Sequence, residues 1–299
     1  VHRALSILSS TRFDAPLPCD AALSRIASQT ALDFQRARAR AGFARGHLLE
    51  IVVYLPGGTG NALETDAAEA LVRLLVGEEL FERWIGRVLA TPTVRGGALT
   101  VLNENAEERS ALPIDRLLDS VRAAVVGLTQ GLSELWSAPT RDADDWFGFE
   151  LSPEPAADYA AQDDLVFCST RMPEPKKSFL RGEPFFSGRF VVSGALFTYL
   201  KYETAEANAE ARLGERSKIE HLMKGILGER DGTMVGFGLG VRYGYIDLVL
   251  SNPDCARQRL FPELRAFGIS KRSWVLFCDS ELSTEYLPVY SDSPAPFFG

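Results

Sequence analysis

Tyr243, Tyr245 and Asp247 recur at every second position of RYGYIDLVL, the stretch from Arg242 to Leu250. Successive side chains of a strand point to opposite faces, so these three share one side and Ile246, Leu248 and Leu250 take the other. The same alternation over Arg189 to Glu203 (RFVVSGALFTYLKYE) buries Phe190, Val192, Leu196 and Leu200. It leaves Phe197, Tyr199, Lys201 and Glu203 on the opposite face. In the closing stretch SWVLFCDSEL, Phe277, Asp279 and Glu281 fall on one side. Brought together, these sets make an open sheet face rich in aromatics, carboxylates and lysine. Its candidate binding residues are Tyr199, Lys201, Tyr243, Tyr245, Asp247 and Asp279. Were Asp247 and Asp279 adjacent, they would push each other's pKa apart, as acid–base chemistry requires. Two other readings of the face are a partner-binding surface and a core packed against the other half of the chain.

A second candidate is PEPKKSFLRGEPFFSGR, in the proline-rich linker 153–188, which sets Lys176, Lys177 and Arg181 among phenylalanines. It reads as an anion or partner patch, or as a segment that covers a sheet edge. The linker is expected to hold one short strand, Leu165 to Ser169. The Arg-rich stretch with Arg36, Arg38, Arg40 and Arg45 reads as a solvated helix face.

Other motifs are sparse. Gly57-Gly58-Thr59-Gly60-Asn61 lies between a strand and a helix, where backbone N–H groups can cradle a phosphate. It lacks the lysine of GxxxxGK[ST] and the third glycine of GxGxxG, so it reads as a glycine turn. His2, His47 and His221 are isolated. No HExxH, GxSxG or CxxC occurs, so no metal and no cofactor is expected. Gly228-Glu229-Arg230-Asp231-Gly232 fits GxxDG and in this resembles the dye-decolorizing haem peroxidases, built from two ferredoxin-like halves. That family ligates iron through a histidine well downstream, and none follows His221, so the haem reading is rejected.

The elements that must hold the candidate residues follow from periodicity. From residue 189 the order is strand, helix (Ile219, Leu222, Met223, Ile226), glycine-rich hairpin over 232–251, helix from Asn252-Pro253-Asp254 and a closing strand. That is βαββαβ, the ferredoxin-like split βαβ. Thr204 is expected to cap the first of these helices and Pro262 to kink the second. From His47 the order appears to the eye again. Leu48 to Leu55 is a strand, a helix capped by Thr65 follows, and Arg87 to Val94 and Ala98 to Asn103 are strands joined at Arg95-Gly96-Gly97. A helix striped by Ile114, Leu117, Val121, Val125 and Leu128 comes next, and WFGFEL closes the half. The expected fold is α+β, an internal duplication of two ferredoxin-like halves (47–152 and 189–299). Residues 1–46 form an N-terminal extension, helical over Asp20 to Gly46.

With 299 residues, 46% of them hydrophobic, the chain can bury a sizeable core. Its net charge of −8 disfavours nucleic-acid and anionic-membrane partners. No apolar run approaches the roughly 18 residues of a membrane span, and no signal-peptide pattern opens the chain. Four dispersed cysteines fit reduced thiols in a cytoplasm. The expectation is a non-catalytic, acidic, cytoplasmic binding protein, an inhibitor or immunity-type protein against a basic protein partner. The alternative is a small-molecule-binding protein or enzyme using a carboxylate and aromatic cleft between the halves. Third stands an RNA binder, since such duplicated folds with glycine-rich loops resemble CRISPR-associated RNA-binding proteins, where sheet aromatics stack bases. The acidic balance and the place of GFGLG inside the hairpin count against it.

Overall fold

A computed structural model of the chain describes residues 15–30, 32, 34–43, 47–92, 111–130, 132, 146–191, 194–205, 208–228 and 231–298. The fold is α+β with two separate sheets, and the chain divides into two compact units, Val1–Gly131 and Leu132–Gly299. The expected strand at 98–103 and its turn at 95–97 lie outside the described residues, as do Arg45 and His2.

The first unit opens with helix α1 (Cys19–Thr30), and the helix expected to continue to Gly46 ends there. Residues 36–41 alternate Arg with Ala, and a period of two selects a strand over alanine's helical preference. In β1 (Arg38–Phe43) and the residue before it, Ala37 and Ala39 turn into the core while Arg36 and Arg38 stay exposed. β2 (Leu49–Leu55) pairs antiparallel with β1. Asn61 caps α2 (Ala62–Val76) by accepting the Glu64 N–H at 2.9 Å. Thr65, the expected cap, lies inside the helix and accepts from the Ala90 N–H at 3.4 Å. A short helix α3 (Glu78–Trp84) leads to β3 (Ile85–Pro92), which returns parallel to β2. A parallel pair needs a crossover connection, and α2 supplies it with Leu71, Leu74 and Leu75 buried. β4 (Leu112–Pro113) pairs with β1, and α4 (Leu117–Thr129) adds Leu117 and Val121 to the same core. The strand order is β3-β2-β1-β4.

The second unit holds a seven-stranded antiparallel sheet. Its strands are β5 (Phe147–Glu150), β6 (Leu165–Thr170), β7 (Leu196–Glu203), β8 (Gly232–Gly240), β9 (Tyr243–Leu250), β10 (Ser273–Phe277) and β11 (Tyr286–Pro288), in the order β11-β10-β7-β9-β8-β6-β5. Between them lie α5 (Pro173–Arg181) and α6 (Ala209–Ile226). A third helical run starts at Pro253–Cys255, passes through a π-helical stretch Ala256–Leu260 and ends as α7 (Phe261–Phe267). Asn208, not Thr204, caps α6; Thr204 instead donates its hydroxyl to Glu215 at 2.5 Å. The π-helical stretch sits just ahead of Pro262, so the missing proline N–H falls in the first turn of α7. Gly268 then ends the helix in the left-handed region, with φ 84°.

From 196 to 277 the expected strand–helix–strand–strand–helix–strand connectivity is present, with strands in the order β10-β7-β9-β8. The first unit does not repeat it. There β2 and β3 are parallel, and β1, from the segment expected to be helical, takes the other edge of β2. WFGFEL, expected to close the first half, supplies β5, which pairs with β6 in the second sheet.

Helices α6 and α7 cover one face of the second sheet over Leu200, Ile246, Leu248 and Leu250. No helix among the described residues is long and apolar enough to cross a membrane.

Candidate functional site

The opposite face of the second sheet gathers the residues that alternation singled out, but it is not open. Tyr199, Lys201, Tyr243, Tyr245, Asp247 and Asp279 are each at most 7% exposed. Residues 153–164 and 171–191, on either side of β6, fold across them. The tie points run the length of the segment: Asp158 to Tyr243, the Tyr159 carbonyl to Lys201, Lys176 to Asp247, and Ser187 to Asp279. Within the segment, prolines 173 and 175 open a helix rather than forbid one. They fall in the first turn of α5, whose N–H groups have no intrahelical acceptor. Gly182 ends α5 in the left-handed region, with φ 63°. β6 forms where a short strand was expected.

The register of the last strand differs from expectation. Trp274, Leu276 and Cys278 face the covered side, while Phe277 packs with the helix-side cluster. Alternation ends at Phe277, because residues 280–282 form a 3₁₀ turn. Asp279 is nonetheless drawn in by the cover. Its Oδ1 accepts the Ser187 N–H at 2.7 Å, its Oδ2 accepts the Ser187 hydroxyl, and that hydroxyl accepts the Phe197 N–H at 2.8 Å. Asp247 is held by Lys176 and Gln162 instead. The two carboxylates are thus engaged with different partners.

The basic patch of the linker is likewise divided by its helix. Lys176 points inward and is 4% exposed. Lys177 and Arg181 point outward, Lys177 lying 5.5 Å from the Phe147 ring and Arg181 within 3.8 Å of Glu183. Lys176 Nζ donates to Asp247 Oδ1 at 2.9 Å and to Gln162 Oε1 at 2.5 Å, and Gln162 Nε2 lies 3.4 Å from the same Asp247 oxygen. Asp247 Oδ2 has no hydrogen-bond partner among the described residues and lies over Gly236. A Cβ at Gly236 would stand 2.7 Å from that oxygen and 2.8 Å from the Ser169 carbonyl, so glycine is what lets the carboxylate lie flat on β8.

Towards the β8–β9 turn the polar groups form a closed network. Asp164, fully buried, accepts the Arg242 and Tyr243 N–H groups at 2.8 and 2.9 Å and the Tyr245 hydroxyl. Tyr243 donates to Asp158, which Arg272 also holds. Lys201 donates to the Tyr159 carbonyl at 2.6 Å and lies 4.2 Å from the Tyr243 ring centre. Burial brings the Lys201 pKa down to about 8, against the upward pull of Asp164, Asp158 and Asp163. Burial also pushes Tyr243 up to about 12 and Tyr245 well above its ordinary value.

At the other end of the face the cover and the sheet frame a partly open cavity of about 360 Å³. Met172, Phe179 and Phe185 line it from the cover, and Phe197, Tyr199 and Val235 from the sheet. Lys176, Asp247 and Gln162 are joined in its wall, and Ser178, Glu183, Ser280 and Ser283 also line it. Every lining residue belongs to the second unit. Sequence reasoning put Tyr199 and Asp247 on one face but left Lys176 in a separate patch. It missed Tyr159, Gln162 and Asp164, which sit in a turn where nothing but an Asp163-Asp164 pair ahead of a strand marks the place.

The remaining motifs have local partners. In the glycine turn, the Thr59 and Gly60 N–H groups donate to Glu64 Oε2 at 2.9 and 2.7 Å, so the protein's own carboxylate fills that cradle. Asp231 of the GxxDG stretch pairs with Arg259, while Glu229 and Arg230 lie outside the described residues. His47 and His221 are exposed. No group of three His, Cys, Asp or Glu among the described residues is placed to hold a metal ion. Compared with known proteins, the chain matches no family model, no curated protein and no solved structure.

Proposed function

We propose that the chain is a small-molecule-binding protein whose site is the cavity between the second sheet and its cover. The observation that carries this is an apolar, aromatic-walled space with a buried ion pair in its wall. Protein interiors are close-packed, so a partly open, aromatic-walled space of about 360 Å³ is a feature that packing alone does not call for. The volume sits at the small end of ligand pockets, about 300–1,000 Å³, and the lining matches their usual make-up of apolar walls with few polar groups.

The runner-up is the acidic protein binder, inhibitor or immunity-type, against a basic partner. Net charge favours it, but the face assigned to the partner is buried beneath residues 153–164 and 171–191. We also take the β7–β10 core for a ferredoxin-like split βαβ extended by β5, β6 and β11. The four cysteines of the chain are free, which supports a reducing, cytoplasmic setting.

The test is native mass spectrometry on protein purified gently from its own host, beside a Ser178→Trp variant that fills the cavity from α5. A retained small molecule, lost in the folded variant, is the expected result. A protein that carries nothing, and whose Met172 and Val235 methyl resonances ignore 2-isopropylnaphthalene, would remove this reading.

A further inference from the structure

Resting on that binding reading, we infer that the ligand is an uncharged molecule with an apolar body and a carbonyl-type acceptor, held by the Lys176 ammonium and the Tyr199 hydroxyl. Three observations carry this. First, an ammonium has three N–H donors; Lys176 spends two, on Gln162 and Asp247, and lines the cavity with one left. Second, Tyr199 lines the same cavity at 6% exposure, and its hydroxyl has no hydrogen bond among the described residues. Its ring is fixed against Tyr245 at 6.1 Å, and Tyr199 is the direct cross-strand neighbour of Asp247. Burial holds the phenol protonated, hence a donor. Third, the buried charges of the wall cancel: Lys176 and Asp247 form one pair at 2.9 Å, while Glu183, also in the lining, is exposed and 3.8 Å from Arg181. A ligand cation or anion would add an unbalanced charge to a site of low dielectric. Asp247 Oδ2 offers the ligand no foothold, since it is sealed beneath the carboxylate over Gly236. On its aromatic wall the cavity presents the Lys176 and Tyr199 donors, and Ser178, Ser283 and Glu183 also line it.

The experiment compares four probes on one naphthalene frame against the full chain, read as dissociation constants from Met172 and Val235 methyl shifts. They are 2-acetonaphthone, its near-isostere 2-isopropylnaphthalene, 2-naphthoate and 2-naphthylmethylammonium. The ketone is expected to bind roughly tenfold or more tighter than the hydrocarbon, the yield of one or two buried hydrogen bonds. Both ions should bind more weakly than the ketone. Tyr199→Phe keeps the ring and should cut ketone affinity about tenfold while leaving the hydrocarbon unchanged. Equal binding of ketone and hydrocarbon, strongest binding of either ion, or no ketone-specific loss in Tyr199→Phe would overturn the acceptor inference and leave the cavity reading standing. If no probe moves either methyl, the cavity reading falls and takes this inference with it.

Discussion

Lys201 places an ammonium in the interior with one carbonyl and one aromatic ring against it, and the cost shows in its affinity for protons. Its pKa falls from 10.5 to about 8, chiefly through burial. Below pH 8 folded and unfolded chains both hold the proton, so the folded state bears the whole penalty. As the pH rises from about 8 towards 10.5 the folded state has released its proton and the unfolded state has not, so stability increases with pH. The rise is on the order of 3 kcal/mol when complete. The tyrosines act in the opposite sense. Tyr199, Tyr243 and Tyr245 have raised pKa values in the fold, so the unfolded chain ionises first above about pH 10 and stability falls again. Cys168 and Cys278, whose thiol pKa values burial also raises, pull the same way from about pH 9. Lys201 is therefore read as a difference: wild-type stability in urea minus that of Lys201→Met should climb between about pH 8 and 10. A difference that stays flat from pH 7.5 to 9.5 would show that Lys201 is not charged at a cost.

At the scale of elements, β8 shows how a strand can be weak by propensity yet demanded by its neighbours. GTMVGFGLG reads as a turn-prone run, and its glycines ought to be replaceable with profit, since glycine in a strand interior lacks a side chain to pack. Gly236 is the counterexample, because the Asp247 carboxylate and the Ser169 carbonyl occupy the room a Cβ would need. Gly236→Ala is expected to cost about 2 kcal/mol or more through forced displacement. Gly148→Ala on β5, where nothing lies within 4 Å, should be neutral or slightly stabilising. Equal effects at the two sites, measured by thermal unfolding, would dismiss the steric account. The hairpin itself, the helix stripes and the cap at Asn252 are legible from local pattern because their causes are local. β1 was legible too, in the strict alternation of Arg and Ala, but alanine's helical preference pulled the reading the other way. α5 was hidden by prolines that disfavour a helix everywhere except in the first turn they occupy.

For the molecule as a whole, alternation could sort Tyr199, Lys201 and Asp247 onto one face, but it carries no information on what lies above that face. That depends on a contact between Lys176 and Asp247, 71 residues apart. The proline-rich stretch looked like a connector between halves, so the boundary was drawn at residue 189. The packing puts it elsewhere, since β5, β6 and the cover belong with the second sheet. The two boundaries make opposite demands on a truncated chain. A fragment of residues 132–299 keeps all three clusters of the second sheet and every cavity residue, and should unfold cooperatively with the pH climb of Lys201 intact. A fragment of residues 189–299 holds the four-stranded core but loses Tyr159, Asp164, Lys176 and Phe185. It would leave the Lys201 ammonium and the Asp247 carboxylate without their partners, and expose Tyr199, Tyr243, Tyr245 and Trp274 together, an apolar patch of the kind that drives aggregation. The shorter fragment is therefore expected to aggregate or to bind hydrophobic dye without a cooperative transition. If it instead folds as a stable monomer, the covered face tolerates water, and residues 153–188 are the linker they first resemble.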